Sequence, residues 1–230
     1  GIASTTDLLA KHALAYQGIA TADNPAFVIS FWEVCDLAPG WLRLQSAPPT
    51  SQAFGGREQL LRAVFLTSET HTGNLSGRQA WGKEGVAISE TGRLFTTRYT
   101  GEQFICNCHA LVPHHESALL PVWCFAESGE LESEVRKENT KLAVKNGYFG
   151  KVPFDFDHWQ KVAAEKYPDG LPEPESDDPT QWLFHGWPNV NEPAAGAEPL
   201  QPLEPDEARR ATLQVAVARL LGYRWPAETQ

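Results

Sequence analysis

Gly85-Val86-Ala87-Ile88-Ser89-Glu90-Thr91-Gly92-Arg93-Leu94-Phe95-Thr96-Thr97-Arg98-Tyr99 decides how this chain is read. Two runs rich in β-branched and aromatic residues, 85–89 and 94–99, flank a break at Gly92, which is the signature of adjacent strands. Ala110-Leu111-Val112 reads as a further strand. Gly55-Gly56, Gly73-Asn74 and Ser76-Gly77 punctuate the rest, so residues 40–112 form a β-rich, irregular zone. Upstream, residues 5–17 read as a helix that Thr6 or Asp7 caps, with Leu8, Leu9, His12, Leu14, Ala15 and Tyr16 along it and Gly18 ending it. The apolar run from Phe27 to Val34 fits a strand or a helix, because periodicity does not separate the two.

Downstream the period changes. Ser117 to about Glu127 is helical, with Leu119, Leu120, Trp123 and Phe125 on its apolar side, and Pro121 requires that the helix begin there or bend. A charged helix follows over about 130–140, then a turn at Asn146-Gly147 and an extended piece, Lys151–Phe154. Asp155 caps a helix over 156–166, where Trp159, Val162, Ala163 and Lys166 fall at i, i+3, i+4 and i+7. The expected fold class is α+β: a β-rich domain with flanking helices. Residues 168–205 hold most of the chain's 17 prolines and read as an acidic, Pro-rich extension pinned by Trp182, Phe184 and Trp187. Asp206 caps a closing amphipathic helix to Leu221, with Leu213, Val217, Leu220 and Leu221 on one stripe that needs a partner.

With 230 residues, 42% of them apolar and 21% charged, the chain is globular in composition and long enough to bury a core. No run approaches the ~20 apolar residues that a bilayer requires, and the N-terminus lacks a signal pattern, so no membrane partner is expected. Cys35, Cys106, Cys108 and Cys124 are too few and too scattered for a disulfide framework, which points to a reducing cytoplasm. Methionine is absent and the chain opens on Gly1; this suggests a piece of a longer reading frame, removal of a start methionine being the alternative. The net charge is −10, but it is unevenly spread. Residues 41–101 carry Arg43, Arg57, Arg62, Arg78, Lys83, Arg93 and Arg98 against Glu58, Glu69, Glu84 and Glu90, an excess of +3 in an acidic chain.

Glycine-rich dinucleotide and phosphate loops, a His-Glu-x-x-His motif and a serine-nucleophile elbow are all missing from the sequence. Cys106-Asn107-Cys108-His109, with His114 and His115 nearby, is a metal candidate. One residue between the cysteines strains a tetrahedral chelate, and i, i+2 spacing beside Phe104 and Ile105 suits buried strand cysteines better. Glu130, Glu132, Glu134 and Glu138 are paired carboxylates that fit a solvated helix face. Asn24-Pro25-Ala26-Phe27 resembles the Asn-Pro-Pro-Phe/Tyr loop with which amino-methylating DNA methyltransferases hold a flipped base, but the second proline is missing, and an Asn-Pro turn before a strand or helix fits these residues better. Among the tryptophans, Trp81, flanked by Arg78 and Lys83, is the candidate for stacking on a base.

Taken in order, four stretches resemble the target-recognition (specificity) region of large adenine-specific DNA methyltransferases of the type IIG restriction–modification and BREX–DISARM phage-defence kind. The first is Gln17-Gly18-Ile19-Ala20-Thr21-Ala22-Asp23-Asn24-Pro25-Ala26-Phe27 followed by Trp32-Glu33-Val34, with Ala22 where the family has glycine. The second is Gly82–Ser89 with Tyr99–Phe104, similar to the β-rich heart of that region. The third is Leu119–Phe125 leading to Val144-Lys145-Asn146-Gly147 and Lys151–Phe154. The fourth is Trp159–Gly186 with Leu213–Pro226, which looks like a tail of one family branch.

The resemblance implies a connector from an upstream catalytic domain over 1–39, a target-recognition domain over 40–167, and a C-terminal extension over 168–230. It also implies double-stranded DNA as partner, together with the missing upstream methyltransferase domain of the same polypeptide. S-adenosyl-L-methionine would serve the full-length enzyme, and neither cofactor site nor catalytic residue belongs to this chain. Reading major-groove edges needs Arg, Lys, Asn or Gln on a rigid scaffold, with phosphate contacts setting register. Arg57, Arg78, Lys83, Arg93 and Arg98 are the expected DNA-binding cations, Asn74 and Gln79 the adenine readers and Trp81 the stacking ring. The rivals are a small metal-dependent enzyme using Cys106, Cys108 and His109, and a protein-interaction domain built on the acidic tail.

Overall fold

A computed structural model describes residues 7–30, 40–67 and 73–171. In chain order the elements are β1 (Asp7–Leu8), β2 (Ala13–Gln17), α1 (Asn24–Phe27), β3 (Val28–Ser30), β4 (Trp41–Gln45), β5 (Gln59–Arg62), β6 (Gly85–Ser89), β7 (Thr96–Tyr99), β8 (Gln103–Phe104), β9 (Cys108–Pro113), α2 (Leu119–Glu127), α3 (Glu130–Glu138), β10 (Pro153–Phe154) and α4 (Phe156–Lys166). The chain is thus α+β. Past Leu171, the expected Pro-rich extension and the expected closing helix lie outside the described residues, as do Trp32-Glu33-Val34 and Cys35.

Three sheets organise these strands: β2-β9-β6-β7, β3-β5-β4-β8 and the pair β1-β10. The first is antiparallel throughout, with Ala15 opposite Leu111 and Ala87 opposite both Ala110 and Thr97. In the second, β3 and β4 flank β5 antiparallel, while β8 joins β4 in parallel.

Every residue of β6 is buried, which is why its centre, Val86-Ala87-Ile88, is apolar without alternation. Alternation then sorts the first sheet's side chains to two faces. Ala13, Ala15, Val86, Ile88 and Leu111 join a core with Val122, Trp123, Phe125 and Phe149 and with Phe154, Trp159 and Ala163. Ala87, Ala110, Val112, Cys108 and Tyr99 form the opposite face, where Ala80 and Phe104 pack. The short side chains of Ala87 and Ala110 let that layer approach closely. A third cluster, Ile19, Leu44, Leu61, Phe65 and Ile105, links the second sheet to it. Each large side chain so enclosed contributes roughly 1.5–3 kcal/mol.

The helices follow their local signals. Asp155 Oδ1 accepts from His158 N at 3.0 Å and caps α4, whose Trp159 and Ala163 are buried. Its far end is tied to α2: Lys166 Nζ meets Glu127 Oε2 at 2.8 Å, and Trp123 Nε1 donates to Tyr167 Oη at 3.1 Å. Pro121 falls in the first turn of α2, where its missing N–H has no intrahelical partner to lose. In α3, Glu130 and Glu138 are exposed, whereas Glu132, facing Arg93 at 3.8 Å, and Glu134, paired with Lys137, are half-buried.

One expectation is corrected. Residues 7–17 are not a helix but β1, a 3-10 turn over Leu9–Lys11 and β2. Ala13 and Ala15 are buried and Leu14 between them is 46% exposed, a period of two that β9 imposes from about a hundred residues away. Of the open run Phe27–Val34, Phe27 closes the helical turn α1 and Val28–Ser30 form β3, while the remainder lies outside the described residues.

Candidate nucleic-acid interface

Residues 74–83 form a connected stretch ahead of β6, pinned at both ends. Asn74 and Ala20 exchange backbone hydrogen bonds of 2.7 and 3.0 Å. Gly77, at φ +83°, opens a 3-10 turn over Arg78–Ala80. A Cβ at Gly77 would lie 2.5 Å from the Phe104 ring and 2.6 Å from the Gln17 carbonyl oxygen, so only glycine fits. Ala80 is fully buried and anchors the turn. Beyond it, Gly82 N donates to Gly101 O at 2.9 Å. Tyr99 Oη donates to Glu102 O at 2.6 Å and lies 3.4 Å from Ala80 O. Burial above all, then the nearby Glu102 charge, pushes the Tyr99 phenol upward, so it stays a protonated strut.

On this frame Asn74, Arg78, Gln79 and Lys83 are exposed. Trp81 is half-buried, packing against the clusters on both sides of the turn. The Arg78 guanidinium lies 5.8 Å from its ring centroid, so the indole supports a cation here instead of standing free. Lys83 lines an open cleft of about 330 Å³ with Glu84, Val112, Pro113, His115, Glu116 and Leu119.

Arg57 and Arg98 sit beside the same turn, but their charges point inward. The loop 52–57 runs along the outer edge of β7, with Gln52 N donating to Thr96 O and Arg98 N to Ala53 O at 3.0 and 2.9 Å. It brings both guanidiniums over the Phe54 ring, 5.1 and 5.5 Å from its centroid. Arg57, its side chain 10% exposed, donates to Arg98 O at 3.2 Å and Thr100 Oγ1 at 3.1 Å and faces Glu102 at 3.7 Å. Arg98, 12% exposed, faces Glu84 at 3.6 Å. Such enclosed, compensated cations brace the fold. Arg93 lies elsewhere, over Phe95 and against Glu132 of α3.

The structure therefore brings Asn74, Arg78, Gln79, Trp81 and Lys83 together, sets Arg57 and Arg98 behind them and leaves Arg93 apart. The basic window located the stretch but not the division of labour, since Glu102 lies just past its end. Tyr99, Gly77 and Gly101 position the site, and only their places in glycine-flanked strand ends hint at it.

The cysteine–histidine cluster is split by the strand that carries it. Cys108 faces the Tyr99 side of β9, with Sγ 3.4 Å from Ile105 O, while His109 projects to the helical side, where Nε2 donates to Val144 O at 2.8 Å. Burial raises the Cys108 thiol pKa and lowers that of His109, so both rest neutral. Among the described residues no three His, Cys, Asp or Glu side chains are grouped to hold a metal, and no helix is long and apolar enough to cross a membrane. Neither a protein-family model nor a curated protein sequence matches the chain.

Proposed function

We propose that this chain is the DNA sequence-recognition portion of a site-specific adenine DNA methyltransferase of restriction–modification or phage defence. The methyl-donor site and the methyl-transfer residues belong to an upstream domain, and S-adenosyl-L-methionine to the complete enzyme. The observation that carries the reading is the pinned stretch 74–83. It presents an amide, a guanidinium, a second amide and an ammonium outward from a buried β framework. Guanidiniums and amides are the groups that read base edges, and cations beside them hold phosphates. A second line of support lies at Ala22. The family pattern has glycine there, and Ala22 adopts φ +61°, the left-handed conformation that glycine favours.

The test is duplex binding by fluorescence anisotropy over a range of salt. The full chain binds duplex DNA with an affinity that falls as salt rises. Charge reversal at Arg78 and Lys83 together lowers affinity at least tenfold and reduces the salt slope by about 1 to 2. Binding that ignores this double reversal, or no binding at low salt, overturns the proposal.

A further inference from the structure

Beside the 74–83 stretch stands an exposed loop, Ala22-Asp23-Asn24-Pro25-Ala26. Its two ends are fixed to the same frame. At one end is the backbone exchange between Ala20 and Asn74. At the other, the Phe27 ring packs edge-on against Phe65 at 4.9 Å, and the Phe65 ring lies so close to Gly73 that a Cβ there would meet it at 2.6 Å. The loop and the stretch thus share one rim.

Within the loop, Thr21 is only 2% exposed, and its hydroxyl donates to Asn24 Oδ1. Asn24 itself is exposed. With the amide oxygen held by a buried hydroxyl, the two N–H bonds of Nδ2 are left to donate from an exposed side chain. Ala22 is the only non-glycine among the described residues with positive φ, and it sets the bend that brings Asn24 over Thr21. Asp23 caps the following turn, its Oδ1 accepting from Ala26 N at 3.2 Å. A carboxylate next to Asn24 repels a phosphate, so the Asn24 donors suit an uncharged acceptor.

We propose that Asn24 is a further specificity-determining residue of this interface. Thr21 holds it so that its amide donates to a base-edge acceptor, such as guanine O6 or N7 or thymine O4, in the major groove. The inference rests on the DNA-recognition reading above and extends it from the basic stretch to the preceding loop.

The experiment selects bound sequences from a randomised duplex library with the full chain, then repeats the selection with N24A, N24D and T21V. Thermal unfolding of each variant serves as a control. With N24A, preference at one base-pair position falls about tenfold, while the salt slope and the binding of unrelated duplex stay within threefold of the parent. N24D turns the preference at that position toward cytosine, whose amino group donates. T21V weakens the same preference without abolishing duplex binding. If folded N24A and N24D keep the parent's preference at every position, the Asn24 inference is overturned and the recognition reading stands. If the parent chain binds no duplex at all, both fall.

Discussion

Gly77 and Gly82 allow packing to be separated from backbone strain at the candidate interface. Both have positive φ, +83° and +72°. A Cβ on Gly82 meets nothing within 4 Å, whereas one on Gly77 strikes the Phe104 ring at 2.5 Å and the Gln17 carbonyl oxygen at 2.6 Å. For G82A the left-handed conformation costs roughly 1–2 kcal/mol, offset in part by the smaller entropy of the unfolded alanine chain, leaving a loss of about 1 kcal/mol. G77A carries the same strain. It must also displace a fully buried ring or a strand-end carbonyl, which adds roughly 1–3 kcal/mol, for a total of about 2–4 kcal/mol. Urea unfolding of the two variants beside the parent measures both losses, provided the m-value is unchanged. The difference also has a functional side, because the turn that Gly77 opens carries Arg78 and Gln79. G77A is expected to weaken duplex binding and G82A to leave it near the parent. Losses equal within about 0.5 kcal/mol, or a greater loss for G82A, would refute the close packing at Gly77 on which the site's rigidity depends.

Replacing Ala22 by glycine relieves a left-handed alanine, and the urea midpoint should rise by the equivalent of about 0.5 kcal/mol after the entropic penalty of glycine; a fall in midpoint would remove the strain from Ala22. Asp155→Ala removes the cap of α4 and is expected to cost about 1 kcal/mol, with faster amide exchange at His158 as its local signature. Burial is the leading cause that holds the imidazole pKa values of His12 and His109 below their ordinary 6.5. The folded state therefore takes up protons less readily than the unfolded chain. The stability this contributes is fully present above about pH 7 and declines as pH falls below 6.5 toward the lowered folded values. A urea midpoint that stays level from pH 7.5 to 5.5 would contradict the neutral state of the buried His109 ring and the half-buried His12 ring.

What could be read from the sequence depended on how far each signal reaches. β6 and α4 stand where expected, because the Val86-Ala87-Ile88 run with its β-branched residues and an Asp155 cap with Trp159 and Ala163 one turn apart are local facts. Residues 7–17 misled because Leu8, Leu9, His12 and Ala15 also satisfy a helical spacing. Their true partners, Phe154 for Asp7 and Leu111 for Ala15, are remote in sequence. The parallel pairing of β4 with β8 had no local trace at all. At the site, a run of basic residues marks where cations are but not which way they face. Arg57 and Arg98 turn inward because Phe54, Glu84 and Glu102 converge on them through the loop along β7, a tertiary arrangement. Arg78 and Lys83 face outward because the turn between Gly77 and Gly82 is pinned by its backbone, leaving their side chains to solvent.

The threading of residues 7–30 bears on how the proposed recognition surface can be transplanted. β2 forms one margin of the first four-stranded sheet and β3 one margin of the second, while Ala20 is laced to Asn74 between them. A chimera that exchanges specificity by cutting at residue 40 would strip a margin from each sheet and leave Asn74 without its backbone mate. Grafts joined before Asp7 keep both seams, and with them the alignment of the proposed rim.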